Sequence, residues 1–248
     1  MTNLRTIDSL FEQWKESHKN EKIESYIKTA PMDKNGNSPD YNMFKSSFCP
    51  DGYLGDSKES YILFICKESN VNGIVSDGSF WLREVVQTRL KGEKYRDVKY
   101  NSMKEKKRDR IAQTKYFNCL NTIAGILLDD LESENVLQKC GYMNINKRGG
   151  YSSCNFKQLK NYAEVYDDKI IRQIQVLNPR KIVLLGVSLD IFSYNVKRYL
   201  KGVEKYAYSR HPSRYRSLEK YAYSRHSSRY GSLEKDGDLY PINENGIL

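Results

Sequence analysis

The chain has 248 residues, enough for one large domain or two small ones with a buried core. Apolar residues make up 39% and charged residues 29%, which describes a globular protein with a polar surface and excludes a disordered or fibrous chain. The net charge of +10, with 20 tyrosines many of which neighbour Lys or Arg, points to a polyanionic partner, most simply nucleic acid.

There is no apolar run of about 18 residues and no charged-then-apolar leader, so a cytoplasmic protein without membrane contact is expected. Five separated cysteines without a Cys-x-x-Cys pair suggest reduced thiols, and argue against zinc ribbons and iron–sulfur ligation. No metal or cofactor is expected.

In chain order, Thr6 to Lys19 reads as an opening helix. It is capped near Thr6 or Asp8, with Leu10, Phe11 and Trp14 on one face and His18 solvated on the other. The stretch from Lys34 to Ser57 is loop-like, with Phe44, Phe48 and Tyr53 as candidates to face a cleft. Residues 1–58 thus form an N-terminal helix and loop. Tyr61 to Cys66 is a continuous apolar run, as in a strand buried on both faces of a parallel sheet. It leads into Lys67-Glu68-Ser69-Asn70, and open α/β sheets place ligand sites at such strand ends. A helix is expected from Phe80 to Leu90. Its Trp81, Val85, Val86 and Leu90 suit core packing, while Phe80 can wall a base pocket.

Lys91 to Arg110 holds nine Lys/Arg against four acidic residues. Such a run is usually a solvated face, and here it is also a candidate phosphate-contacting segment. Ile111 to Leu131 reads as a long helix buried through Ile123, Ile126, Leu127 and Leu131. Tyr142 to Gly150 reads as a strand running into a glycine turn, with Asn144 and Asn146 alternating onto one face. Asn155 to Leu177 is a helix stopped by Asn178-Pro179, Ile182 to Gly186 a third buried strand, and Ser188 to Leu200 a further helix.

A tandem 15-residue repeat follows at 204–233. Glu204 to Leu218 and Glu219 to Leu233 agree at 13 of 15 positions. The two copies hold His211 and His226, two of the chain's three histidines. Tyr206 and Tyr208 alternate with small residues, so the first copy opens as a short strand that presents His211 at its end. Pro212 makes a turn after His211; Ser227 replaces it in the second copy. Residues 236–248 read as a tail. The alternation of strands and helices over 1–235 implies a single domain, a three-layer α/β/α sandwich with a mostly parallel central sheet.

The order of three motifs resembles the uracil-DNA glycosylase superfamily over roughly residues 60 to 218. Cys66-Lys67-Glu68-Ser69-Asn70 stands where the family has a water-activating motif, often Gly-Gln-Asp-Pro-Tyr. Asn144-Ile145-Asn146-Lys147 is similar to its strand-end Asn motif, and Arg210-His211-Pro212-Ser213 to its His-Pro-Ser loop.

This resemblance implies a monofunctional DNA glycosylase, acting as a monomer on double-stranded DNA with a flipped base. It casts Glu68 as stabiliser of an oxocarbenium-like sugar and orienter of water, with Asn70 sharing that task. His211 would stabilise the departing base anion, and Asn144 would read the base edge beside Phe80 and Phe48. Lys147, Arg148, Arg210, Ser213, Arg214 and Tyr215 are the expected DNA contacts, Arg214 and Tyr215 standing where the family carries its wedge.

The departures matter. Cys66 and Ser69 replace the motif's Gly and Pro, and Asn70 replaces a tyrosine that blocks the pyrimidine C5 position. Room at C5 suggests a modified pyrimidine, such as the hydroxymethylated or glucosylated cytosine of phage DNA, and an antiviral role. Uracil repair and a non-catalytic DNA-binding module are the alternatives.

Overall fold

The computed structural model describes residues 6–55, 60–71, 73, 75, 82–83, 86, 103–130, 136–151, 153–208, 239–243 and 246–247, with backbone alone for 103–115, 240, 243 and 246–247. Three short helices open the chain: α1 (Ile7–Lys19), α2 (Ile23–Thr29) and α3 (Tyr41–Phe44). Thr6 caps α1 as expected, its side chain accepting from the Ser9 backbone N–H. Strands β1 (Gly52–Tyr53) and β2 (Ile62–Asn70) precede helix α4 (Met103–Leu128) and strand β3 (Cys140–Gly150). Helices α5 (Phe156–Val165) and α6 (Asp167–Leu177), strand β4 (Lys181–Leu185) and helix α7 (Tyr194–Tyr199) follow. Strands β5 (Glu204–Tyr208), β6 (Leu239–Asn243) and β7 (Gly246–Ile247) end the described chain.

Among the described residues the strands lie in the order β1-β3-β2-β4-β5-β6-β7. The neighbours β3, β2, β4 and β5 run parallel, while β1, β6 and β7 attach antiparallel. The sheet is therefore mixed, not mostly parallel. The difference lies at its edges, where the short pieces at 52–53 and 239–247 carry too little apolar pattern to be seen as strands. The stretch expected to be a tail supplies β6, whose Pro241 and Tyr240 pair in register with Tyr206 and Ala207.

Alternation along the central strands sends side chains to two cores. Ile62, Phe64 and Cys66 of β2 join Tyr142, Val183, Leu185 and Tyr206 against Tyr116, Leu120, Ile123 and Leu127 of α4. Leu63 and Ile65 join Met143, Ile145, Ile182 and Leu184 against Trp14, Leu159, Tyr162, Ile170 and Ile174. Helix residues thus pack with both sets of strand side chains, and each fully buried Leu or Ile contributes roughly 1.5–3 kcal/mol.

The long helix expected over 155–177 is broken at Tyr166, which ends α5 and starts α6. Tyr166 is buried beside Trp14, His18 and Tyr162, and the acidic Asp167 and Asp168 that follow suit a new helix N-terminus. The helix expected over 188–200 is a 3-10 turn at Leu189–Ile191 followed by α7.

His18 corrects the reading of α1. It is buried, with Nε2 2.8 Å from the Tyr162 hydroxyl and Nδ1 3.3 Å from the Ser47 carbonyl oxygen. Burial, followed by the nearby Arg148 charge, holds its pKa well below the usual histidine value.

Candidate functional site

β2 continues beyond its apolar run through Lys67, Glu68 and Ser69 to Asn70, and these residues stand at the carboxyl edge of the parallel strands. Parallel pairing sets Cys66 beside Asn144 and Glu68 beside Asn146, so all four side chains share one face of the sheet. Past that point the pairing is irregular, with Asn70 next meeting Gly150. Glu68 and Asn70 are two residues apart on β2, whereas Asn146 and Gly150 are four apart on β3, so β3 carries extra residues here. Gly149 takes φ +81° in this bulge, and a Cβ at Gly150 would collide with the Glu68 carboxylate. The bulge lets that carboxylate lie directly on backbone.

Glu68 is the centre of the site. Asn146, only 1% exposed, donates through Nδ2 to Glu68 Oε2 at 3.2 Å. The Cys154 thiol and the Tyr151 backbone stand close enough to favour the ionised carboxylate. Burial outweighs these groups, the Asn146 amide and the nearby Lys67 charge, and pushes the Glu68 pKa up to about 7. The same burial, with the Glu68 charge beside it, raises the Cys154 thiol to about 12, so Cys154 stays a neutral thiol. A carboxylate that changes protonation near neutrality can take a proton from water as readily as hold one.

Asn144 is buried below Ser69. Its Nδ2 donates to Ser69 Oγ at 2.9 Å, its backbone N–H donates to Asp51 Oδ2 at 2.7 Å, and its Oδ1 accepts from the Tyr142 hydroxyl at 3.4 Å. Tyr142 in turn lies 2.6 Å from the Tyr116 hydroxyl, which is 3.2 Å from Cys66 Sγ. This chain of hydrogen bonds runs from the α4 core to the strand end and fixes the orientation of the Asn144 amide.

Of the expected site residues, Glu68 and Asn144 lie on one face of the adjacent strands β2 and β3, and Asn70 is exposed two residues beyond Glu68. Three others are corrected by burial. Phe48, 0% exposed, packs among Phe11, Trp14 and His18 and faces no cleft. Lys147 is fully buried, its Nζ 2.5 Å from Asp51 Oδ2 and 2.7 Å from the Asn144 carbonyl oxygen. Arg148 is fully buried against Glu21, Thr29 and Tyr166. Neither cation can reach a phosphate, because each is held inside by a carboxylate it neutralises. Phe80, Arg210, His211, Ser213, Arg214, Tyr215 and His226 lie outside the described residues. The basic segment from Lys91 to Arg110 is described only as α4 backbone from Met103 onward.

Asn146, Cys154 and Asp51 are the site residues that sequence reasoning did not select. The Asn144-x-Asn146 alternation carried a signal for the first; nothing local marks the other two. Among the described residues no group of three or more His, Cys, Asp and Glu side chains is placed to hold a metal ion, and no helix is long and apolar enough to cross a membrane. Comparison with known protein families, with curated proteins and with solved structures gives no match.

Proposed function

We propose that the chain is a DNA N-glycosylase with a three-layer, uracil-DNA glycosylase-like architecture, acting on a C5-substituted pyrimidine. The observation that carries this reading is Glu68, a buried carboxyl at the carboxyl edge of parallel strands, hydrogen-bonded by an amide from the adjacent strand and raised to a pKa near 7. In the reaction the C1′–N bond breaks and the base leaves with its electron pair. The sugar becomes oxocarbenium-like, and ionised Glu68 stabilises that positive charge. Water adds to C1′ and gives its proton to Glu68, leaving an abasic site.

His211 follows the end of β5 by three residues, and β5 is parallel to β4 and, through it, to β2. That order supports a role for His211 at the same edge, hydrogen-bonding the base carbonyl as negative charge grows. Asn144 would exchange its Ser69 partner for the base edge. Asn70, short and exposed, leaves space for a C5 substituent and can hydrogen-bond it, which discriminates against bases that lack it.

The test is incubation of the purified protein with unmodified DNA, uracil-containing DNA and phage DNA rich in hydroxymethylated or glucosylated cytosine, followed by detection of abasic sites. Sites in the modified DNA are expected. Release confined to uracil would return the chain to repair, and binding without abasic sites would leave a non-catalytic module.

A further inference from the structure

Lys67 precedes Glu68 on β2, and adjacent strand residues point to opposite faces of the sheet. Its ammonium lies over the ring of Phe156, 4.7 Å from the centroid. Phe156 opens α5 directly after its cap, Asn155, whose side chain accepts from the Lys157 and Gln158 backbone N–H groups at 3.1 and 3.2 Å. Three residues on, Leu159 belongs to the core, yet Phe156 remains 47% exposed. Two residues before it, Cys154 stands beside Glu68. The ring therefore adjoins the site twice, through Lys67, the neighbour of Glu68 on β2, and through Cys154 on the chain leading into α5. Lys157, exposed, follows it.

A half-exposed aromatic ring with an ammonium over one face fits one chemical group well, an unstacked nucleotide. Every base has a π face to lay on the ring, and its phosphate would draw the ammonium outward. A core role does not account for a phenylalanine left half in water, and a simple surface helix needs no aromatic at its first position. We propose that Phe156 and Lys67 form a stacking platform for a nucleotide flanking the one handled at Glu68, the ring taking the base and the ammonium the phosphate. This rests on the nucleic-acid reading of that site but not on base excision.

The test uses the full-length protein and two fluorescein-labelled decamers, one of thymidine and one of abasic tetrahydrofuran residues with the same phosphates, read by anisotropy. Phe156→Ala should weaken binding of the thymidine decamer by roughly five- to hundredfold while leaving the abasic decamer almost unchanged. Phe156→Trp should bind thymidine at least as tightly as the natural protein. Lys67→Ala should weaken both decamers and lower the log-log salt slope by about 0.7. Equal affinity of natural protein and Phe156→Ala for the thymidine decamer overturns the platform, and so does equal loss on both decamers. The presence or absence of abasic sites in modified DNA is read separately. Platform binding without excision upholds this inference and sinks the glycosylase reading, whereas excision with unaltered Phe156→Ala binding does the reverse.

Discussion

Asn146 donates its side-chain amide to Glu68 across the parallel β2–β3 pair, at 3.2 Å, from a position that is only 1% exposed. The same asparagine accepts the Arg148 backbone N–H through Oδ1 at 3.0 Å, so its amide cannot turn over without losing both bonds. The donor that faces the carboxylate is therefore fixed by the backbone of the bulge. A preorganised donor favours the ionised carboxylate, while burial favours the neutral acid, and the balance leaves the group titrating near 7.

Base release should follow that titration. With ionised Glu68 as the active form, the rate is expected to fall about tenfold per pH unit below a pKa near 7. Glu68→Gln keeps the shape and loses the charge, and should lower the single-turnover rate by roughly 10²–10⁴. A Glu68→Gln enzyme of natural rate would remove Glu68 from the mechanism.

Cys154 should tune this profile. Its thiol beside Glu68 favours the ionised carboxylate, so Cys154→Ala is expected to move the acid limb to higher pH, while Cys154→Ser, which retains a polar hydrogen there, leaves it near the natural position. Superimposable profiles for the alanine and natural proteins would show that the thiol does not act on the carboxylate.

Stability should depend on pH through two groups of opposite sign. His18 is depressed in the folded state, so its contribution is present above the ordinary histidine value of 6.5 and is lost as pH falls below it. Glu68 is raised from 4.5 to about 7, so its contribution is present below 4.5 and is lost as pH rises through 7. Between these values each opposes the other, and the stability of the natural protein should change little. Glu68→Gln removes one side of the balance, and its stability should fall by up to about 1.4 kcal/mol per pH unit on acidification below 6.5. Chemical denaturation at pH 5, 6 and 7 reads this directly, and parallel curves for the two proteins would refute it.

The buried Asp51–Lys147 pair makes a structural prediction. Burial pushes the Asp51 carboxyl up and the Lys147 ammonium down, and each partner's charge resists that shift. Asp51 also accepts from Gln173 Nε2 at 2.6 Å and from the Asn144 backbone, so the pair ties α6 and β3 together at the site. Lys147→Met strands a buried carboxylate and should cost about 3–5 kcal/mol, whereas the Asp51→Asn/Lys147→Met double variant should recover much of that loss. Thermal unfolding gives the comparison. The salt dependence of DNA binding should be the same in the double variant, since Lys147 reaches no phosphate.

Local pattern carried the central strands and the helices that flank them. Ile62 to Cys66 and Ile182 to Leu185 are apolar at every step because both sides of a covered sheet exclude water, and that is visible in a short window of sequence. Thr6, Asn155 and Asn178 were equally legible as caps or stops, since a cap acts on backbone groups two to four residues away. Glu68 and Asn144 stood out as polar residues at strand ends. What Lys147 and Arg148 do could not be read in this way. A basic pair after a strand looks like a phosphate contact until its partners are known, and those are Asp51 and Glu21, 96 and 127 residues away. His18 is the same case, a polar position on α1 that becomes interior only because Ser47 and Tyr162 close over it. Periodicity reports which side of an element is apolar. Whether a charge on the other side meets water or a distant carboxylate is decided by the packing of the whole chain, because only a partner at hydrogen-bond distance offsets the desolvation of an ion.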